Sequence, residues 1–338
     1  MNKKNILYLF IAFLLGFLVI GKEFKEVSSA DIFDELHHIH VIYLIIAFLC
    51  MLIHWGIEAK IIQLFLKRTN PKYSFWNAYR IPLIEHLFNA ITPFSTGGQP
   101  AQIVALSKSG VDPGVATSVS LMKFVVYQVW IVINFIVCIL FGFKWISVNL
   151  KQMTYLIILS FIIHFIIVVC LLMVMYWYPF TNKLVTWFFN MMTRVKKGPT
   201  TKALKRRVFE KMTNFYEESR YLKDQPLLMI KASLLTILQL VAYYIVPYFI
   251  LLALGVNDVS PIQVIVFHAF IIMVISLFPI PGGTGGAEYS FTLLFGTYIA
   301  LTSKMAFAIL LWRIVTYYVG ILLGLGALVI KPKKIKSG

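Results

Sequence analysis

Apolar runs too long for an ordinary soluble core constrain this chain more than any other feature. They lie near residues 5–21, 41–66, 114–141, 152–178, 226–254 and 304–330. An α-helix needs roughly 20 residues to cross a hydrocarbon core, at about 1.5 Å of rise per residue. These runs therefore predict six spanning helices, the first of them short. Composition agrees: 59% of residues are hydrophobic, 13% are charged, and the mean hydropathy is +0.82. The expected fold class is an all-α polytopic membrane protein.

Two further apolar regions, 75–107 and 261–301, are interrupted midway by clusters of Pro and Gly. Each half is too short to span alone, so each region predicts a re-entrant helical hairpin. The interruptions share wording. Pro93-Phe94-Ser95-Thr96-Gly97-Gly98 and Pro281-Gly282-Gly283-Thr284-Gly285-Gly286 both read P-x-x-T-G-G. Each copy follows a long apolar run and precedes another, and a basic residue follows each, Lys123 in the first case and Arg313 in the second. The chain then divides into units 1–150 and 151–338, each with three spans and one hairpin. An odd number of crossings turns the second unit upside down, which gives an inverted repeat. The second unit carries an added polybasic, amphipathic segment at 180–225, whose stretch "WFFNMMTRVKKG" is expected on the membrane surface.

The net charge of +17 is a topology signal. With a cytoplasmic N-terminus, the inside set holds Lys3, Lys4, Lys67, Arg68, Lys72, Lys108, the polybasic segment and the tail "KPKKIK". The outside set is only Lys22, Lys25, Lys144, Lys151 and Lys304. This asymmetry places both termini inside and argues against nucleic acid as the partner. At the N-terminus, Lys22, Glu23, Lys25 and Glu26 separate the first apolar run from Ser28-Ser29-Ala30, so a retained helix is expected rather than a cleaved signal peptide.

Irregular backbone at membrane depth survives only when buried in protein or lining a wet cavity. Glycines let the backbone approach a ligand, and the helix N-termini after Gly98 and Gly286 offer amides to an anion such as a lipid phosphate. Polar residues surround both breaks: Glu85, His86, Asn89, Thr92, Ser95, Thr96, Gln99 and Gln102 in the first, Thr284, Glu288 and Tyr289 in the second. Ionised side chains at the bilayer centre cost roughly 2.5–3.5 kcal/mol on insertion scales. Glu85, Glu288, Lys123 and Arg313 are therefore expected to face one another or water. They either engage a phosphate, a cationic headgroup or a proton, or act as structural ion pairs holding hairpin against bundle. His164 and His268 read as packed neutral histidines, and Cys50, Cys138 and Cys170 as small hydrophobes. "HHIH" at 37–40 reads as a loop feature, and no metal or other cofactor is expected. No nucleophile–base pair or P-loop is apparent.

"NAITPFSTGGQPAQIVAL" together with "FPIPGGTGGAEYSFTLLF" resembles the transmembrane domain of the lysylphosphatidylglycerol synthase/flippase family, the multiple peptide resistance factor type. The resemblance spans essentially the whole chain. It implies a module that translocates lipid across the bacterial cytoplasmic membrane, with aminoacylated phosphatidylglycerol as one candidate substrate and cationic-peptide resistance as a consequence. Two-part members also carry a soluble transferase; no such domain is expected within this sequence, which runs to "KPKKIKSG". The implied partners are membrane lipids, anionic or aminoacylated. A separate lipid synthase and self-association are both open, as are a lipid-modifying enzyme and a non-transporting scaffold. The substrate residues expected on the cytoplasmic side are Glu85, Ser95, Thr96, Gly97, Gly98 and Gln99. Gly282, Gly283, Thr284, Gly285, Gly286, Glu288 and Arg313 are expected on the outer side, and Lys123 is expected to compensate the acids or hold a phosphate.

Overall fold

A computed structural model of the protein describes residues 35, 37–149, 151–195 and 225–332, with scattered positions between 203 and 217. The first apolar run, most of the polybasic segment and the end of the basic tail lie outside the described residues. Among those residues every regular element is helical. The elements are α1 (Val41–Leu66), α2 (Phe75–Ala90), α3 (Gly98–Lys108), α4 (Pro113–Asn149), α5 (Lys151–Tyr176) and α6 (Tyr178–Val195). They continue with α7 (Pro226–Tyr244), α8 (Val246–Ala253), α9 (Pro261–Ile275), α10 (Gly286–Phe295), α11 (Thr302–Arg313) and α12 (Val319–Val329).

Among the described residues, five stretches are long and apolar enough to cross a membrane: Val41–Leu66, Pro113–Leu140, Thr154–Tyr176, Pro226–Ala253 and Thr302–Val329. They coincide with five of the six expected spans, and the protein is a multi-pass membrane protein. Two of the five are each made of two α-helices joined end to end. Ile245 separates α7 from α8, with Pro247 just beyond it. A single π-helical stretch, Ile314–Tyr318, joins α11 to α12; such insertions widen one turn and re-aim the side chains beyond it.

The two broken regions fold as expected into helical hairpins, α2 with α3 and α9 with α10, each bent at a short 3-10 turn. Across the bundle the contacts are reciprocal. Helix α1 lies along α7 and α8, α2 packs on α12, and α9 packs on α4, so each hairpin's first arm leans on the last span of the other half. The described helices before and after residue 150 thus interlock.

Small residues set the closest of these approaches. Gly320 and Gly324, spaced G-x-x-x-G, face α2. An added Cβ at Gly324 would meet the Leu83 carbonyl and the Leu87 side chain, and one at Gly320 would meet His86. Without a hydrophobic drive between helices in lipid, such close backbone contact supplies the attraction. At the end of this seam Arg80 donates from Nε and Nη2 to the Ala327 carbonyl, at 3.1 and 2.7 Å, satisfying an acceptor in the last turn of α12.

Helix α6 leaves Phe180, Leu184, Trp187, Phe188 and Met191 exposed. Their spacing makes one apolar stripe, the pattern of a helix lying in a membrane interface. Of the cysteines, all free, Cys138 is buried, Cys50 partly buried and Cys170 exposed.

Candidate functional site

The two P-x-x-T-G-G segments adopt the same turn. Pro93–Ser95 and Pro281–Gly283 are both 3-10 turns. The second and third motif positions have left-handed backbone in both: Phe94 and Ser95 at φ 53°, Gly282 at 65° and Gly283 at 60°. The threonine explains its own spacing. Thr96 Oγ1 donates to the Pro93 carbonyl at 3.1 Å, and Thr284 Oγ1 to the Pro281 carbonyl at 3.0 Å. The two turns, nearly two hundred residues apart in sequence, touch each other. Pro93 to Thr96 are exposed, as are Pro279 and Ile280, so the paired breaks border accessible space.

The copies part from the threonine onward: Thr96 has ψ −12° and Thr284 ψ 138°, and Gly97 then has φ −81° where Gly285 has φ 88°. Their amides find different acceptors. In the first break, Gly97 N–H donates to Thr92 Oγ1 and Gly98 N–H to Asn89 Oδ1, both at 2.9 Å. In the second, Gly285 N–H donates to Glu288 Oε2 at 2.7 Å. The expectation of amides offered to an anion concerns the helix starts after Gly98 and Gly286; the amides at Gly97, Gly98 and Gly285, which lead into them, are taken by the protein itself. Side chains of the same hairpin occupy them, and at α10 the anion is the protein's own carboxylate.

The left-handed turn makes a stability prediction. A non-glycine residue in this region costs about 1–2 kcal/mol. Ser95→Gly is expected to raise stability by about 1 kcal/mol. Gly282→Ala is expected to lower it by about 3 kcal/mol, because its new methyl also meets the Tyr317 ring. Melting of the purified chains in one detergent measures both.

Behind the first turn lies a buried charge cluster. Lys123 of α4 bonds both Glu58 of α1 and Glu85 of α2. Glu85 Oε1 also accepts from Gln99 Nε2 at 2.9 Å, and Glu58 Oε2 accepts from Gln239 Nε2 at 3.0 Å. Every carboxylate oxygen thus has a donor, as burial requires. The cluster joins α1, α2, α3, α4 and α7. Glu58 and Gln239 were not among the sequence candidates. For Glu58 the signal was present, an acid inside an apolar run, whereas Gln239 carries no charge to betray it.

Behind the second turn, Arg313 Nε donates to Glu288 Oε1 at 2.7 Å, and Nη1 donates to the Gly282 carbonyl at 3.1 Å. Arg313 is 4% exposed and Glu288 2%. The guanidinium also lies over the rings of Trp312 and Tyr317, 5.1 and 5.2 Å from their centroids. Tyr317, set by the π-helical stretch, donates to the Ala90 carbonyl at 3.1 Å while its ring covers Gly282. It ties the end of α2 to the second break and was missed in the sequence. His268 accepts from Trp312 Nε1 at 3.1 Å, and its Nδ1 lies 3.2 Å from the Tyr244 carbonyl. An acceptor at Nε2 and an acceptor facing Nδ1 require the neutral Nδ1–H tautomer, in agreement with a packed histidine. His164 likewise bonds within its own helix, to the Ser160 carbonyl.

Several buried polar atoms have no protein partner, among them Arg313 Nη2, His86 Nε2 and both amide atoms of Gln102. No group of three or more His, Cys, Asp or Glu suited to a metal ion occurs among the described residues.

Comparison with known proteins places this architecture. The family described as "Lysylphosphatidylglycerol synthase TM region" matches residues 5–324. The chain belongs to that family. A relative in Archaeoglobus fulgidus, described as "UPF0104 membrane protein", is 25% identical over 340 residues, covering 97% of each chain. Membership in the lysylphosphatidylglycerol synthase TM region family fits a lipid-related role in the membrane. The match reaches from the first apolar run into α12 and so takes in both breaks and both charge clusters.

Proposed function

We propose that the protein translocates a phosphate-bearing lipid across the cytoplasmic membrane, with the headgroup passing between the two hairpins while the acyl chains stay in lipid. The observation that carries this reading is the contact between the two P-x-x-T-G-G turns. Broken backbone is compatible with a bilayer only where it is buried or lines a wet cavity, and here two such breaks meet and border accessible space. Discontinuous helices paired in this way mark the substrate site in many transporters. The reciprocal packing of α2 on α12 and α9 on α4 supports an inverted repeat of units 1–150 and 151–338, and the asymmetry of Lys and Arg along the sequence favours cytoplasmic termini.

In this reading Ser95 and Thr96, with the glycines of both motifs, form the surface that a headgroup slides past. The pairs Lys123–Glu85 and Arg313–Glu288 hold the hairpins and present charge to it. An anionic or aminoacylated phospholipid is the preferred substrate, and a separate synthase would supply it if aminoacylated.

Reconstitution into vesicles with headgroup-labelled phospholipids, followed by quenching from outside, tests the proposal. Protein-dependent exposure of inner-leaflet label is expected for at least one headgroup class. Arg313→Lys keeps the charge but loses the planar fork that serves Glu288 and Gly282 together. It is expected to fold and to lose most of that exposure. Label protection identical to protein-free vesicles for every class would overturn the proposal.

A further inference from the structure

Beside the first hairpin lies a cleft of about 470 Å³. Its walls are one face of α2 (Arg80, Ile84, Phe88), one face of α3 (Gly97 through Lys108) and the end of α12 with Lys331. The spacing of Arg80, Ile84 and Phe88 is one residue per turn, so this face of α2 is distinct from the one that carries Glu85 and Asn89. On α3 the face runs from Gly97 through Ala101 and Val104 to Lys108, about 16 Å along the helix axis.

The cleft is polarised. Arg80 lies in the first half of α2, Lys108 ends α3 and Lys331 follows α12, so all three cations gather towards one end, while Phe88 and Gly97 form the other. Between them the lining is aliphatic or aromatic, and no carboxylate is among the lining residues. Arg80 is held rigidly there, since Nε and Nη2 are fixed on the Ala327 carbonyl. Its Nη1 is not used by either of those bonds.

We infer that this cleft binds an anionic glycerophospholipid, with the phosphodiester at the Arg80, Lys108 and Lys331 mouth and one acyl chain along Val104, Ala101 and Phe88. Lysine and arginine near a membrane surface attract anionic headgroups, and the apolar trough suits a hydrocarbon tail. A soluble phosphate would use the mouth but gain nothing from the trough, so the lipid is the fitting occupant. The inference is distinguishable from translocation: Gly97 at the inner end of the cleft belongs to the first motif, but the three cations at its mouth do not, and binding there needs no lipid to cross.

Native mass spectrometry of the full chain, released from detergent with equal dioleoyl phosphatidylglycerol and dioleoyl phosphatidylcholine, tests it. The expected result is one retained phosphatidylglycerol in clear excess over phosphatidylcholine. Lys108→Gln with Lys331→Gln, both at exposed positions, is expected to weaken that retention roughly tenfold or more. Ala101→Phe, which fills the trough and spares the cations, is expected to do the same. Excess glycerol 1-phosphate is expected to leave the bound lipid in place. The Arg313→Lys chain, impaired in translocation if that proposal holds, is expected to bind normally, which separates the two ideas. Equal retention of both lipids, retention unaffected by either cleft variant, or displacement by glycerol 1-phosphate would overturn the inference.

Discussion

Replacing Lys123 by methionine is expected to lower the unfolding free energy by about 3–5 kcal/mol, the range for removing one partner of a buried ion pair. Lys123 is 7% exposed and is the cation that bonds both Glu58 and Glu85. Its loss leaves two buried carboxylates facing each other, each retaining only a glutamine donor. A charge without a partner in such a site is far costlier than no charge at all. The triple change Lys123→Met, Glu58→Gln and Glu85→Gln is therefore expected to recover most of the loss, although it removes more of the native chemistry. Unfolding midpoints of the purified chains in one detergent provide the comparison. A single variant as stable as the parent, or a triple variant worse than the single, would show that the cluster is not held together by charge compensation.

The second large effect is expected at Arg313 and Glu288. Arg313→Gln and Glu288→Gln should each cost about 3 kcal/mol or more. The two losses have different anatomies. Without Arg313 the carboxylate keeps the Gly285 amide, but the Gly282 carbonyl loses its donor. Without the Glu288 charge the guanidinium keeps the Gly282 carbonyl and the faces of Trp312 and Tyr317. The double variant should cost less than the sum, with a coupling of about 1–3 kcal/mol. A double-mutant cycle on the same melting measurement reads that coupling directly. Strict additivity would mean that the pair contributes through separate contacts.

The spans and hairpins were legible because hydropathy registers a long run or its interruption without any knowledge of neighbours. The breaks were legible twice over, since the repeated P-x-x-T-G-G wording encodes a local hydrogen bond from the threonine to the proline carbonyl. Lys123 and Arg313 stood out as cations inside apolar runs. Glu58 carried the same signal, eight residues inside the end of α1, but stands two residues before Lys60 in "HWGIEAK", a cation whose long stem can reach the interface. Gln239 and Tyr317 were hidden for a different reason. They are neutral, and their partners lie 181 and 227 residues away, a relation that no local pattern carries. The glycine amides show the reverse limit. Sequence correctly put them at helix starts, but which side chain would reach them depended on the bend of each hairpin.

The seam between α2 and α12 bears on the order of events during synthesis. Chains emerge N-terminal end first, so the first hairpin reaches the bilayer long before Gly320 and Gly324 exist to receive it. Until α12 arrives, α2 has no wall on that side, Arg80 lacks the Ala327 carbonyl, and the Ala90 carbonyl lacks Tyr317. The first of the two hairpins to be made is thus among the last of the described elements to be closed, and the nascent protein must hold that broken segment open until α12 is in place.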